Sequence, residues 1–216
     1  KRQGFKTNST RFIREYGAEI GGPIFRDKLW FWGAASRQDI SLNLTDINAA
    51  TGQNVVSTAV LKPVTIKLNT NFTPSNSASL YFQRSDREES NVGLSARRPL
   101  DTTRDLGIPT SFYKLDDNHV FSPSMFASAF VSYQDAHYNS IPVTGPDAQV
   151  VYDVNGVYHG GYLLYKTKNP QYQGNLSASK FFNTGKINHE LKFGFNYRRQ
   201  INDSASTILV GMTTIG

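Results

Sequence analysis

Four times along this chain, two runs of alternating apolar and polar residues are joined by a tight turn, whereas the joins between successive pairs are far longer. Val64–Thr73 turns back into Ser77–Arg84, and Gln171–Thr184 into His189–Asn202. Successive side chains of an extended strand point to opposite faces, so a period of two prescribes strands with one apolar and one polar face. In the first pair, Val64, Ile66, Leu68 and Phe72 alternate with Thr65, Lys67, Asn69 and Asn71. Ala78, Leu80 and Phe82 continue the apolar face beyond the turn Thr73-Pro74-Ser75-Asn76. In the last pair, Tyr172, Leu176, Ala178 and Phe182 oppose Gln173, Asn175, Ser177 and Ser179. Leu191, Phe193, Phe195 and Tyr197 likewise oppose Lys192, Asn196 and Arg198.

The remaining strands are read in the same way. One runs over Arg14–Gly21 with Tyr16, Ala18 and Ile20 on one face, and a turn over Gly22–Asp27 leads into Lys28–Ile40. That second strand starts apolar on both faces, so its facing is left open. A weaker pattern at Ser111–Phe121 is interrupted by Asp116, Asp117 and His119; after a turn at Ser122-Pro123-Ser124, Met125, Ala127, Ala129, Val131 and Tyr133 resume the apolar row. Residues Thr207–Met212 allow a ninth strand. Between the pairs lie Ser41–Pro63, Glu88–Thr110 and Asn139–Pro170. Joins this long count against a compact soluble domain, but short turns on one rim and long loops on the other characterise outer-membrane barrels. Aromatic residues also crowd the strand ends near the short turns, as an interfacial girdle would. The expected fold is therefore all-β, an antiparallel transmembrane barrel wall of about eight strands. A soluble β-sandwich alternates too, and that reading stays open beside a self-contained eight-strand barrel.

Composition narrows the partners. Hydrophobic residues make up 38% of the 216, and the longest uncharged apolar stretch, Leu29–Ala35, is far short of the roughly eighteen residues a membrane helix needs. Barrel strands need only every second residue apolar, so this leaves them untouched. There is no cysteine, hence no disulfide or thiolate site. The net charge of +6 comes from Lys and Arg spread along the chain rather than clustered, which argues against nucleic acid as a partner. The opening KRQGFKTNST has no apolar segment after it, so an exported protein would be represented here by a mature or internal piece.

The stretch Glu15–Gly33, with Tyr16-Gly17, Gly21-Gly22-Pro23-Ile24, Asp27-Lys28 and Phe31, resembles a motif of large TonB-dependent outer-membrane receptors, closest to the Oar-like subgroup with a carboxypeptidase-regulatory-like domain. The likeness covers about twenty residues. In that family the motif follows the plug domain and forms the first barrel hairpin, with its turn on the periplasmic side. The resemblance implies that residues 1–13 are a linker after a plug and 14–216 the front part of a larger barrel. It further implies import of a bulky nutrient, energised through a TonB complex that meets the protein's N-terminal part, in a Gram-negative outer membrane whose lipid surrounds the wall. Tyr16, Gly17, Gly21, Gly22, Pro23, Asp27, Lys28 and Phe31 would then be structural. The residues alone say the same: glycines permit backbone shapes that side chains forbid, Pro23 fixes a turn entry, and Asp27-Lys28 wet the rim.

No catalytic, cofactor or metal site is expected. His119, His137, His159 and His189 lack ligand spacing, adjacent Asp116 and Asp117 point to opposite faces, and Gly156–Gly161 lacks the strand-to-helix setting of a phosphate loop. Ligand contact, if any, falls to the Tyr- and Asn-rich third join, with Tyr138, Asn139, Tyr158 and Tyr162 as candidates, the ligand itself being illegible.

Overall fold

The computed structural model describes residues 8–47, 54–95, 97–208 and 210. It is all-β and antiparallel. Six long strands open the chain: β1 (Ser9–Phe25), β2 (Leu29–Ile47), β3 (Asn54–Thr73), β4 (Asn76–Val92), β5 (Arg104–Ser122) and β6 (Met125–Pro142). A small hairpin, β7 (Val150–Tyr152) and β8 (Tyr158–Gly160), precedes β9 (Leu164–Lys168), β10 (Gln171–Thr184), β11 (Ile187–Gln200) and β12 (Asp203–Thr207). The main sheet runs β1-β2-β3-β4-β5-β6-β10-β11, an up-and-down meander. β9 pairs with β6 in the register that β10 continues, and β12 pairs with β9 as β11 does with β10. Each of these pairs is thus one long strand with a break, giving eight long strands in all. Among the described residues β1 and β11 are edges of the sheet.

Register settles which side chains share a face. Ile20 pairs with Gly33, Gly33 with Ile66, Ile66 with Phe82, Phe82 with Tyr113, Tyr113 with Tyr133 and Tyr133 with Tyr172. Two residues toward the short turns, the same side carries Leu68, Leu80, Leu115, Val131, Gly174 and Tyr197. All the apolar rows read from sequence therefore fall on one face, and the intervening Ser, Thr, Asn, Gln and Lys fall on the other. The open facing of β2 resolves as well: Leu29, Phe31, Gly33 and Ala35 share the apolar face, while Trp30 and Trp32 look to the polar one.

This apolar face is not covered. Ile20 is 69% and Phe195 66% exposed, and among the described residues the buried Val, Leu and Ile side chains are only Val55, Leu106 and Val150. A sheet this long holds itself together by ladder bonds and cross-strand pairs rather than by a packed interior.

Several expectations shift at the strand ends. The first turn is shorter and later than Gly22–Asp27: β1 continues through Gly22 and Pro23 to Phe25, and Arg26–Lys28 reverse the chain with Asp27 at φ 61°. Neither Gly21 nor Gly22 lies in the left-handed region. Gly21 is small because Trp32 lies across it: a Cβ there would sit 3.1 Å from Trp32 Cδ1 and 3.0 Å from the Phe31 carbonyl oxygen. Pro23 sits at the register shift between Pro23 and Phe25, where a missing ladder donor is tolerated. β1 also begins at Ser9, inside the segment expected as linker.

The long joins shrink too. β2 and β3 extend so that only 48–53, outside the described residues, separate them. β4 and β5 are joined by 93–103, and β6 and β9 by 143–163, which holds the β7–β8 hairpin. The sequence pattern ended early because the outer strand segments carry polar groups on both faces. The ninth strand expected at Thr207–Met212 is the tip of β12 at its start; residues 209, 211 and 212 lie outside the described residues.

Candidate functional site

The polar face and the long-connection rim hold the groups able to recognise a ligand. At the rim, the 93–103 connection is pinned by two buried threonines. The Thr102 hydroxyl donates to the Pro99 carbonyl (2.8 Å) and the Thr103 hydroxyl to that of Leu100 (2.7 Å), and the Val143 N–H donates to the Thr103 carbonyl (3.1 Å). This connection also grips the β7–β8 hairpin. The Tyr158 N–H donates to the Arg97 carbonyl (2.9 Å), and the Gly160 N–H to Asp101 Oδ2 (3.1 Å). The Arg98 guanidinium lies 3.8 Å from the ring centre of Tyr162 and 5.5 Å from that of Tyr158, the geometry of a cation on aromatic faces.

The hairpin turn is built on Asp153. Its Oδ1 accepts the N–H groups of Asn155 (2.8 Å) and Val157 (2.9 Å), a side-chain mimic of a backbone turn, and Gly156 supplies the φ of 77° that the turn needs. Oδ2 of the same carboxylate faces His159 Nε2 at 3.2 Å. The Val157 hydrogen bond above all, helped by His159 and Asn155, holds the Asp153 carboxyl below the usual carboxylate range against the opposing effect of desolvation.

Below this rim, on the polar face, opens a cleft of about 490 Å³ lined by Arg104, Tyr138, Tyr165, Thr167, Asn169 and Asn202. It forms where the two long strands break. Pro170 has no N–H to give the ladder, yet Asn169 N–H still donates to the Ala136 carbonyl (2.8 Å) and Ile201 N–H to that of Pro170 (3.0 Å), so the sheet holds on either side. A second hollow of about 390 Å³, lined by Lys67, Ser79, Tyr81, Gln83, Lys114 and Asp116 among others, lies farther along the same face. There Ser79 Oγ donates to Asp116 Oδ2 (3.1 Å), and Lys114 pairs with the same carboxylate at 2.5 Å.

The protein matches no family model and no curated protein at a significant level. The site has to be read from its own geometry.

The four candidates from the third join do not form one site. Tyr158 and Tyr162 belong to the Arg98 stack, with ring centres 5.4 Å apart. Tyr138 sits in β6 and lines the cleft, in edge contact with Tyr165 at 5.8 Å. Asn139, its neighbour in the strand, points to the opposite face. Arg104, Thr167, Asn169 and Asn202 were not singled out in the sequence. They come from three separate parts of the chain, and only the register brings them together. Asp116 and Asp117 do diverge: the first meets Ser79 on the polar face, the second accepts the Asn76 side-chain amide (2.9 Å) on the apolar one. Among the described residues no group of three or more His, Cys, Asp or Glu is placed to hold a metal ion.

The motif residues sit at the β1–β2 hairpin. A Cβ on Gly17 would lie 2.6 Å from Ser36 Cβ, so glycine is required by the close approach of the two strands. Around Gly22 nothing lies within 4 Å, and the structure offers no packing reason for it.

Proposed function

We propose that this chain forms part of the wall of an outer-membrane β-barrel, a segment of a TonB-dependent receptor that imports a bulky nutrient. One observation carries the membrane reading: a band of apolar residues exposed on one face of a single sheet, with aromatic rows near both ends and polar interruptions toward the short turns at Asp117, His119 and Lys180. Far from the short turns the rings of Phe82, Tyr113, Tyr133 and Tyr172 follow one another across four strands at 5.0, 6.2 and 4.9 Å. Near the short turns lie Phe25, Phe72, Phe121 and Phe182. From Tyr113 to Phe121 the strand climbs roughly 27 Å, and from Tyr172 to Phe182 roughly 34 Å, at about 3.4 Å per residue. At the usual barrel tilt these become roughly 21–26 Å, the height of an outer-membrane apolar band.

What lies outside the band supports the same reading. Beyond the far aromatic row, positions on this face turn ionic, with Arg37–Asp39 at 2.9 Å, Lys62–Glu88 at 3.0 Å and Arg84–Asp86 at 2.9 Å. At the opposite rim Lys180, one same-face position inside Phe182, brings Nζ to 3.0 Å from Ser124 Oγ in the turn. The other face is wet in chemistry: Ser128 and Ser177 hydroxyls meet at 2.8 Å, and Arg198 donates to Gln171 (2.9 Å). Two open edges cannot face hydrocarbon, so β1 and β11 need further strands beside them, as a larger barrel would supply. The transport half of the reading rests on the likeness of residues 15–33 to the first hairpin of the receptor family.

Because the chain has no cysteine, single cysteines can be scanned without background. Labels at Ile66, Leu80, Val131 and Phe193 should be quenched by nitroxide lipids in liposomes; labels at Lys67, Ser79, Ser132 and Asn196 should not. Equal quenching in both sets, or a protein that stays in solution without lipid, would sink the membrane reading. Dependence of nutrient uptake on TonB in cells making the full-length protein tests the rest.

A further inference from the structure

We infer that the cleft between β5, β6 and β9 binds a carboxylate-bearing saccharide, such as a uronic-acid oligomer. Arg104 is the reason for the charge. Its guanidinium lines the cleft, no carboxylate stands beside it there, and among the described residues it has no ion pair. Some strand arginines, Arg37, Arg84 and Arg87, have an acidic partner, whereas Arg198 donates to Gln171 and Gln200. A guanidinium presents a planar fork of donors that matches a carboxylate in two parallel hydrogen bonds.

The backbone at Arg104 is anchored and Gly93 leaves room beside its side chain. Arg104 follows the buried Thr102-Thr103 anchor directly, and its guanidinium lies over Gly93, where a Cβ would come within 3.7 Å of Nη2. Gly93 itself has a φ of 93°, which a side chain would strain.

The remaining lining suits a sugar better than a peptide. The apolar part of the wall is the two tyrosine rings of Tyr138 and Tyr165, flat surfaces for the C–H face of a pyranose, and there is no aliphatic pocket for a peptide side chain. Around them stand the amides of Asn169 and Asn202 and the hydroxyl of Thr167, donors and acceptors for ring hydroxyls. Asn169 already gives one amide hydrogen to Thr167 Oγ1 (3.1 Å), while its Oδ1 is buried with no hydrogen-bond partner. An unsatisfied acceptor of that kind costs free energy until a ligand hydroxyl meets it. The volume lies within the roughly 300–1,000 Å³ of small-molecule sites. The inference rests on the barrel reading for its setting, since it makes the polar face the water-filled side from which the sugar arrives.

The test is a glycan array probed with full-length protein in detergent, with uronic-acid oligomers beside their neutral methyl esters. Binding should favour the acids. Arg104→Gln should weaken it about tenfold to a hundredfold, and Tyr138→Ala should weaken it more than Tyr138→Phe. Arg84→Gln, on the opposite face of the sheet, should leave it unchanged. Equal binding of acids and esters, no binding of any acidic glycan, or full affinity in a folded Arg104→Gln protein would overturn the assignment. The cysteine-quenching pattern stands apart from these outcomes: if it holds while the array is silent, only the ligand assignment fails. If the quenching pattern itself fails, the membrane setting falls first.

Discussion

The two faces of this sheet share every strand, every ladder bond and every turn, and differ only in which alternate residue they receive. One face collects Ile20, Ile66, Leu68, Leu80, Leu115, Val131, Leu176, Phe193 and Phe195; the other collects Lys67, Ser79, Lys114, Ser128, Asn175, Ser177 and Asn196. In a soluble sandwich the apolar set would be the buried one. Here it is the more open to its surroundings, and no second layer covers it among the described residues. The fold does not build an interior and then decorate it. On the proposed reading it is a partition whose two surfaces suit two different solvents, with the surrounding medium in place of a core.

The sharpest way to break that comparison is to put the same charge on each face. Phe193→Arg and Leu68→Arg should each cost about 2–4 kcal/mol of membrane-folding stability near the middle of the band. Asn196→Arg, three residues from Phe193 but on the other face, should cost little. Urea titration of folding into liposomes gives the three values. Similar costs at all three positions would remove the distinction between the faces.

A smaller effect separates the two kinds of glycine in the first hairpin. Gly17→Val must push Ser36 or the Ala35 carbonyl aside, since a Cβ at Gly17 would stand 2.6 Å and 2.8 Å from them. Overpacking of this sort costs about 1–3 kcal/mol. Gly22→Ala meets open space and should fall below a few tenths in the same titration. If Gly22→Ala is the more harmful, the motif's glycine pair serves something other than strand approach, and contact with a further part of the protein becomes the better account.

The facing of the strands was legible in the sequence because a period of two survives any error in where a strand begins. Val64, Ile66 and Leu68 were placed correctly with no knowledge of their neighbours. The strand ends were not legible. At Lys62 and Leu61, or Asp86 and Arg87, both faces carry polar or mixed residues, so alternation fades although the ladder continues. Loss of contrast then reads as a loop. β2 was ambiguous for the opposite reason, with Trp30, Phe31 and Trp32 apolar on both sides, and Gly21 opposite Trp32 is explained only by the pairing. The cleft was the least legible feature. Tyr138 was among the candidates, but Arg104, Thr167 and Asn202 have no local signature, and Pro170 read as the end of a long join rather than as a break within a strand.

Beyond the long strands the expected sensitivity is to pH. Asp153 is held below its ordinary range by the Val157 N–H first of all, so its contribution to the hairpin is present above the unfolded carboxylate value. It is lost as pH falls through the depressed folded value. Hydrogen exchange at the Asn155 and Val157 amides should show protection at neutral pH that fades only in acid. Asp153→Asn keeps an acceptor and should remove the fading while retaining part of the protection. A hairpin equally sensitive to acid in that variant would assign the titration to another group.

The smallest expected effect lies at the boundary itself. Lys62 and Glu88 are 3.0 Å apart, with side chains 40% and 61% exposed, and a pair so wetted contributes about 0–1 kcal/mol, less in high salt. A double-mutant cycle with Lys62→Met and Glu88→Gln should return a coupling in that range that salt erodes. The value of so small a number is positional. The same two charges inside the apolar band would be screened far less, and their separation would leave an unpaired ion where water is scarce. A salt-insensitive coupling above about 2 kcal/mol would therefore place this row within the low-dielectric layer. The upper edge of the band would then move outward from the tyrosine row, and the boundary between wall and rim would have to be redrawn around Arg37, Lys62 and Arg84.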